Sequence, residues 1–298
     1  MTFQGSGPLD TSTVSSGGGG GLGGGLGGGG LGGGGLGGGR IAMGGGLGLI
    51  VTLIALFLGL NPGSLLGETG SPAPNSGSAN DAIAAHIKQC TIEKANTDSI
   101  CRIVGTVNSL DKVWPQLLQG YEPPATKIFS GSVNTACGAA SSAMGPFYCP
   151  ADRTAYFDPS FFDTLKRMGG SDGPLAQMYV VAHEYGHHVQ NLTGALRKGN
   201  RMGNNGSVRV ELQADCLAGV WAAHADKGPD AMLAPLTQDQ IQSVIKTAKA
   251  IGDDTIQGSN SNPEGWTHGS AQQRARWFTI GYQSGDPRRC DTFATNDL

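Results

Sequence analysis

The chain has 298 residues, a formal net charge of −3 and only 14% charged residues, against about 25% in an average soluble domain. That length allows one large domain with appendages. The slightly acidic balance excludes the basic footprint of a nucleic-acid-binding protein.

The first segment is dominated by glycine. Residues 17–39 hold 19 Gly and four Leu (Leu22, Leu26, Leu31 and Leu36), too little apolar surface to offset the backbone entropy of ordering them. Residues 1–40 are therefore expected to form a disordered Gly-rich tail. Residues 41–60 change character: the run IAMGGGLGLIVTLIALFLGL carries no charge and is mostly apolar. Twenty helical residues reach about 30 Å, the hydrocarbon thickness of a bilayer. The run predicts a transmembrane anchor, preceded by Arg40 and ended by Asn61-Pro62-Gly63. Arg40 is the only Lys or Arg in the first forty residues and favours an inside N-terminus. A late signal peptide is the competing reading, at an unusual distance from residue 1. Residues 61–80 read as a linker, and residues 81–298 as the folded domain.

Within that domain, helices are expected near 81–89 and 109–119, the second weakened by Pro115. Short strands are expected at 127–129, 146–148 and 154–157. Asp158-Pro159 suits the N-cap and first position of a helix that stops near Gly169-Gly170. A longer helix begins near Pro174 and runs to about Leu192, with Leu175, Met178, Tyr179 and Ala182 as its core stripe. Residues 193–207 contain Gly194, Gly199, Gly203 and Gly206 and read as a mobile loop. A further helix covers about 208–225. Thr237-x-x-Gln240 and Ser270-x-x-Gln273 are capping-box starts for two more. The fold class is α+β: a small, partly antiparallel sheet packed on helices.

Two of these helices carry chemistry. His183-Glu184-Tyr185-Gly186-His187 places two imidazoles one helical turn apart on one face, where they can share a tetrahedral zinc. Glu184, beside the first His, can serve the water on that zinc. A catalytic zinc needs a third protein ligand and an open position. Glu211 supplies the ligand, and Asp215, one turn later, can accept a ligand histidine's free ring N–H and fix its orientation. His188 points about 100° away from His187 around the helix and should not reach the same metal. Gly186 can permit close approach of a neighbouring helix.

With these residues in place, the chain resembles the bacterial neutral zinc metallopeptidases of gluzincin type, in which H-E-x-x-H is followed by a helix carrying E-x-x-x-D. The resemblance runs from about Ala125 to Phe293. It includes Gly145-Pro-Phe-Tyr-Cys-Pro150, Tyr156-Phe-Asp158, Glu211-Leu-Gln-Ala-Asp-Cys216, Ile251-Gly-Asp-Asp254, Thr267-His-Gly-Ser270 and Cys290-Asp-Thr-Phe293. It implies a zincin-like peptidase domain with a Zn²⁺ cofactor. Thr267-His268 through Arg274 is also similar to the T-H-P-x-x-x-x-R element of CAAX-type membrane endopeptidases, with Gly269 in place of the proline. That similarity makes His268 a candidate donor to the oxyanion, along with Tyr148 and Tyr156. It leaves Arg274 to pair with substrate or with a buried acid such as Asp254.

All six cysteines lie after residue 60, and none forms a C-x-x-C pair that would suggest a structural zinc site. Six cysteines allow 15 pairings. Pairing local neighbours first gives Cys90–Cys101, Cys137–Cys149 and Cys216–Cys290, with buried free thiols as the alternative. The resulting expectation is a single-pass membrane protein whose C-terminal catalytic domain faces outside the cytoplasm. There it would hydrolyse peptide bonds with Glu184 as general base. A zinc amidase acting on cell-wall peptide crosslinks and a catalytically silent peptide-binding module are the competing readings.

Overall fold

The computed structural model describes residues 2–17 and 76–298, Ser259 excepted. In chain order, strand β1 (Val14–Ser16) precedes helices α1 (Ser76–Ile87), α2 (Ile92–Ala95) and α3 (Ser99–Leu117). Strands β2 (Ala125–Ile128), β3 (Ser132–Thr135), β4 (Gly138–Ser141), β5 (Phe147–Cys149) and β6 (Thr154–Phe157) follow. The remainder is helical: α4 (Phe161–Arg167), α5 (Pro174–Thr193), α6 (Ala195–Asn200), α7 (Gly203–His224), α8 (Gln238–Ala250), α9 (Asp253–Ile256) and α10 (Ala271–Ser284).

The main sheet has the order β1-β2-β6-β5. β1, β2 and β6 are parallel, and β5 runs antiparallel to β6. β6 is buried along its whole length, as a central strand with both faces covered should be. β3 and β4 form a separate antiparallel hairpin that the sequence reading did not anticipate. The three disulfides are Cys90–Cys101, Cys137–Cys149 and Cys216–Cys290, the nearest-neighbour set. Such bonds fit an oxidising compartment.

Local signals set several boundaries. Pro174 occupies the first turn of α5, and Gly194 ends it in the left-handed region at φ 83°. Both capping boxes form, at Thr237/Gln240 and Ser270/Gln273. α3 begins ten residues earlier than expected because Asp98 caps it through the Cys101 N–H. α4 starts two residues after Pro159, with the Asp158 carboxylate accepting the Ser160 N–H at 2.9 Å. The segment expected to be a loop is mostly helical. α6 and the first turn of α7 lie so close that a Cβ on Gly206 would sit 2.0 Å from the Gly199 carbonyl oxygen, so the glycines there serve contact and not looseness.

The N-terminal expectation requires correction. Residues 2–17 are not a tail but part of the domain. Asn96 Oδ1 accepts the N–H groups of Thr2 and Phe3 at 2.8 and 2.9 Å, and Asn96 Nδ2 donates to the Phe3 carbonyl. Asn108 holds Asp10 in the same two-way manner at 2.8 and 2.7 Å. Phe3, Leu9 and Val14 are buried, and β1 extends the sheet with Val14 opposite Thr126.

The expected single-pass anchor is overturned by the same segment. Among the described residues no helix is long and apolar enough to cross a membrane, and residues 41–60 lie outside the described ones. A single crossing there would put residues 2–17 and 76–298 on opposite faces of a bilayer. They are instead hydrogen-bonded neighbours in one sheet.

Asp111 lies under this N-terminal segment with its Oδ1 buried and without a hydrogen-bond partner. Burial, and then the Asp10 carboxylate, push it up to about 7. A folded-state pKa above the unfolded value of about 3.9 means that the folded protein holds the extra proton between those limits. The contribution of Asp111 to stability therefore falls as pH rises from about 4 to about 7. Asp111→Asn should flatten that dependence and stabilise the protein above pH 7 by at most about 4 kcal/mol. Urea unfolding of both proteins at pH 5 and pH 8 checks this, and an equal effect at the two pH values would refute it.

Candidate metal centre

The site is built where α5 and α7 cross. Gly186 makes the crossing possible: a Cβ there would lie 3.0 Å from the Ala214 carbonyl oxygen and 3.1 Å from its Cα. With no side chain in the way, the buried faces bearing His183 and His187 on α5 and Glu211 and Asp215 on α7 meet. Three of these residues converge. The candidate ligand atoms of His183, His187 and Glu211 all lie within 4.8 Å of one another. His183 Nε2 is 3.1 Å from Glu211 Oε2, and His187 Nε2 is 3.5 Å from Glu211 Oε1. Ligands about 2.1 Å from a tetrahedral zinc stand roughly 3.4 Å apart, so this spacing fits a metal without rearrangement.

The histidines are held in the tautomer that a metal requires. His183 donates its Nδ1–H to Asp215 Oδ1 at 2.8 Å, and His187 donates its Nδ1–H to Gln190 Oε1 at 2.8 Å. Each Nε2 is thereby left facing the cluster, and the His183 Nε2, at hydrogen-bond distance from Glu211, gives up its proton to bind a metal. The orphaned atoms point the same way. His187 Nε2 and Glu184 Oε2 are buried with no hydrogen-bond partner, which costs free energy unless something binds there. Glu184, only 3% exposed, sits beside this cluster.

The electrostatics agree with a cation site. Burial opposes charge on Glu211, but the His187 and His183 rings outweigh it and hold the carboxyl below the usual carboxylate range. Burial likewise opposes charge on His183, and the Asp215 and Glu211 carboxylates overcome it, raising the ring to about 10. His187, with less support, is pushed down to about 4 by burial. Burial raises Glu184 to about 7, and a cation held by the neighbouring ligands would lower it again.

Behind the cluster lies a buried ion pair. Asp215 is fully buried and accepts from His183, from the Tyr179 hydroxyl and from Arg274, whose Nε and Nη2 lie 2.8 and 3.0 Å from its oxygens. Arg274 therefore pairs with Asp215 and not with Asp254, whose Oδ1 accepts the Ala271 N–H instead.

His268 is buried at the edge of the same cavity as His183, Glu184 and Glu211. The Asp253 Oδ2 accepts the backbone N–H groups of Thr267, His268 and Gly269 at 2.8, 2.8 and 3.0 Å, while Asp253 Oδ1 lies 3.2 Å from His268 Nδ1. Gly269 adopts φ 89°, a left-handed conformation that suits glycine, in the position where the resembling element has proline.

The two tyrosines do not join the cluster. Tyr156 donates to Asp152, and Tyr148 pairs with His188 and Asn191. His188 is buried away from the cluster, its Nε2 on the Glu122 carbonyl at 2.6 Å. His86 pairs with Asp98 and His224 with the Gly285 carbonyl, both remote from the cluster in their partners. Gln190 and Asp253 are the polar residues that the sequence reading missed. Gln190 lies one turn after His187 on a helical face, a spacing that offered a signal; Asp253 offered only its place in the Ile251–Asp254 run.

The chain matches the family described as "Putative neutral zinc metallopeptidase" over residues 11–293. It belongs to that family. The zinc metallopeptidase match starts far earlier than Ala125 and takes in β1. The family's metal is zinc, and the buried His183, His187 and Glu211 form a group able to hold it. Similar proteins are "Uncharacterized protein Rv2575" of Mycobacterium tuberculosis (strain H37Rv), 50% identical over 257 residues covering 82% of this chain and 86% of the relative, and "Uncharacterized protein YpfJ" of Escherichia coli K12, 38% identical over 261 residues covering 84% and 86%. No solved structure matches the chain.

The Asp215–Arg274 pair provides a test of the architecture. Arg274→Met leaves a carboxylate buried and uncompensated, and should destabilise the fold by about 3–5 kcal/mol. Adding Asp215→Asn should recover part of the loss. Denaturant unfolding of the three variants measures both effects, and additive losses in the double variant would show that the two residues are not coupled.

Proposed function

We propose that the protein hydrolyses peptide bonds as a zinc-dependent endopeptidase, with His183, His187 and Glu211 holding the metal. The observation that carries this reading is the convergence of two Nε2 atoms and a carboxylate, with both histidine rings held from behind through Nδ1 and with Glu184, whose Oε2 has no hydrogen-bond partner, alongside. When bound, zinc supplies Lewis acidity, lowering the pKa of a water from about 15.7 towards 7 and polarising a carbonyl.

The remaining roles fall to the chain. Glu184 takes the proton from the attacking water and hands it to the leaving amine, which its place beside the ligand cluster favours. His268 donates to the oxygen on which negative charge develops. Asp253 positions it by accepting from the ring and by fixing the backbone on either side. Asp215 and Gln190 keep the ligand rings oriented.

Sheet topology supplies the substrate cradle. Among the described residues the main sheet has two edge strands, β1 and β5, and β5 is the one that follows a residue of the cavity. Pro146, immediately before β5, lines the cavity next to His183 and Glu184. An extended peptide added along β5 would be read through its backbone, which suits cleavage within a chain.

Glu184→Gln should lower kcat by about 10²–10⁴-fold while bound zinc, measured by elemental analysis, stays at one per chain. Hydrolysis by this variant at the wild-type rate would sink the proposed mechanism. His268→Ala should lower kcat by roughly 10²–10³-fold. Asp253→Asn should lower kcat by less and change KM little, since it acts through the imidazole. Steady-state kinetics on a quenched fluorescent peptide separate these outcomes. If His268→Ala altered only KM, the residue would be a binding contact and not a donor to the transition state.

A further inference from the structure

A second set of metal-type donors lies on other elements, where α1 meets α3. One ligand atom each from His86, Cys90, Asp98 and Cys101 all lie within 4.8 Å of one another. His86 Nε2 is 3.1 Å from Asp98 Oδ1. His86 and Cys90 come from the end of α1 and the turn after it, where the Cys90 N–H donates to the Ile87 carbonyl at 3.1 Å. Asp98 and Cys101 come from the start of α3, where the Asp98 carboxylate accepts the Cys101 N–H at 2.8 Å. The two sulfurs are joined as a disulfide, with their Cα atoms 5.0 Å apart. Among the described residues, neither of the other two disulfides belongs to such a group.

We infer that these four residues hold one zinc ion when the cysteines are reduced, so that metal and disulfide are alternative clamps on one turn. The inference is independent of the peptidase reading. The donor set is that of a structural site: two thiolates, an imidazole and a carboxylate fill a tetrahedron and leave no position for water. The spacing fits as well. H-x-x-x-C at one helix end and D-x-x-C at another are two short-range ligand pairs of the kind closed zinc sites use. A half-exposed His–Asp pair contributes little to stability by itself, and its strength does not explain why both partners sit on the sulfurs. Burial supplies the demand for a cation. Cys90 is 3% exposed and Cys101 0%, so two thiolates there would be desolvated side by side without a counter-charge. His86 and Asp98 form the half-exposed rim through which an ion reaches them.

The clamped turn has a task in the fold. Asn96, which grips the backbone of Thr2 and Phe3, lies between the two cysteines. The Leu9 N–H donates to the Cys90 carbonyl at 3.1 Å and the Ile92 N–H to the Gly7 carbonyl at 3.0 Å. The turn from residue 90 to residue 101 is thus a docking surface for the segment that leads into β1. Either clamp keeps that surface in shape. The exchange balances through a dithiol–disulfide couple. An oxidising disulfide accepts two electrons and becomes a dithiol, the Cys90–Cys101 bond forms, and the zinc leaves as a divalent cation. In reverse, a dithiol gives up two electrons, the bond opens, and the two thiols release their protons to the medium as zinc binds.

The test compares full-length protein purified anaerobically with its thiols reduced against the same protein after oxidation. Cobalt(II) is the probe, because its bond to a thiolate gives a charge-transfer absorption that a site of two histidines and a carboxylate lacks. Reduced protein should bind one more cobalt per chain than oxidised protein, with that absorption. His86→Ala should weaken the extra site by at least about tenfold, as should Asp98→Asn; asparagine keeps the helix cap. Cys90→Ser with Cys101→Ser should abolish it and leave the other four cysteines in place. Amide hydrogen exchange over residues 2–17 reads the clamp itself. Protection should be alike in oxidised protein and in reduced protein with zinc, and at least about tenfold lower in reduced His86→Ala with zinc. Equal metal content in the two redox states, once all thiols are shown to be free, would overturn the site. So would extra cobalt bound as tightly by His86→Ala as by the unaltered protein, since another cysteine pair would then hold it. Reduced protein that unfolds with or without zinc would overturn it too.

Discussion

The buried carboxylate of Asp215 is the group on which the centre depends. It lies 32 residues from His183 and 59 from Arg274 in sequence, yet its two oxygens collect donors from both, and from Tyr179. A carboxylate so placed would cost several kcal/mol if it were unpaired. Arg274 offsets that cost with two hydrogen bonds from a planar fork. The arrangement ties α5, α7 and α10 together at one point and orients the ring of His183 in the same act. Structure and site are therefore not separable here: the ion pair that secures three helices also sets the tautomer of a ligand.

A second constraint is steric. Glu211 can approach the two histidines only because α5 and α7 touch backbone to backbone at Gly186. Glycine inside a helix costs about 1 kcal/mol relative to alanine. The local cost is accepted where the longer-range geometry needs it, a pattern expected at functional positions. Gln190 then reaches from α5 to the Val210 carbonyl and to Gln213 on α7, so the residue that orients His187 also bridges the same two helices.

Much of this was legible in the sequence for one reason: helical periodicity is rigid. A spacing of four residues puts His183 over His187, and Glu211 over Asp215, whatever the rest of the chain does. Capping boxes at Thr237 and Ser270 are equally local and formed as read. What was not legible depends on contacts between distant segments. Nothing local says that Arg274 chooses Asp215 over Asp254, or that Asp253 folds under the backbone of residues 267–269. The membrane anchor failed for the same reason. A run of twenty apolar residues meets the length criterion for a span, but that criterion does not ask where the flanks lie. The pairing of Val14 with Thr126 answers that question, and it spans more than a hundred residues.

That pairing has a consequence for how the sheet is used. A four-stranded sheet has two edges, and an exposed edge invites any extended chain to add to it. Here the N-terminal segment takes one edge as β1, fastened by the side chains of Asn96 and Asn108, which grip its backbone as they would a bound peptide. The other edge is β5, the strand next to Glu184 and the cavity. Adding β1 moves the far edge outward by one strand, from β2 to β1, and of the two edges among the described residues it is β5 that lies beside the metal ligands.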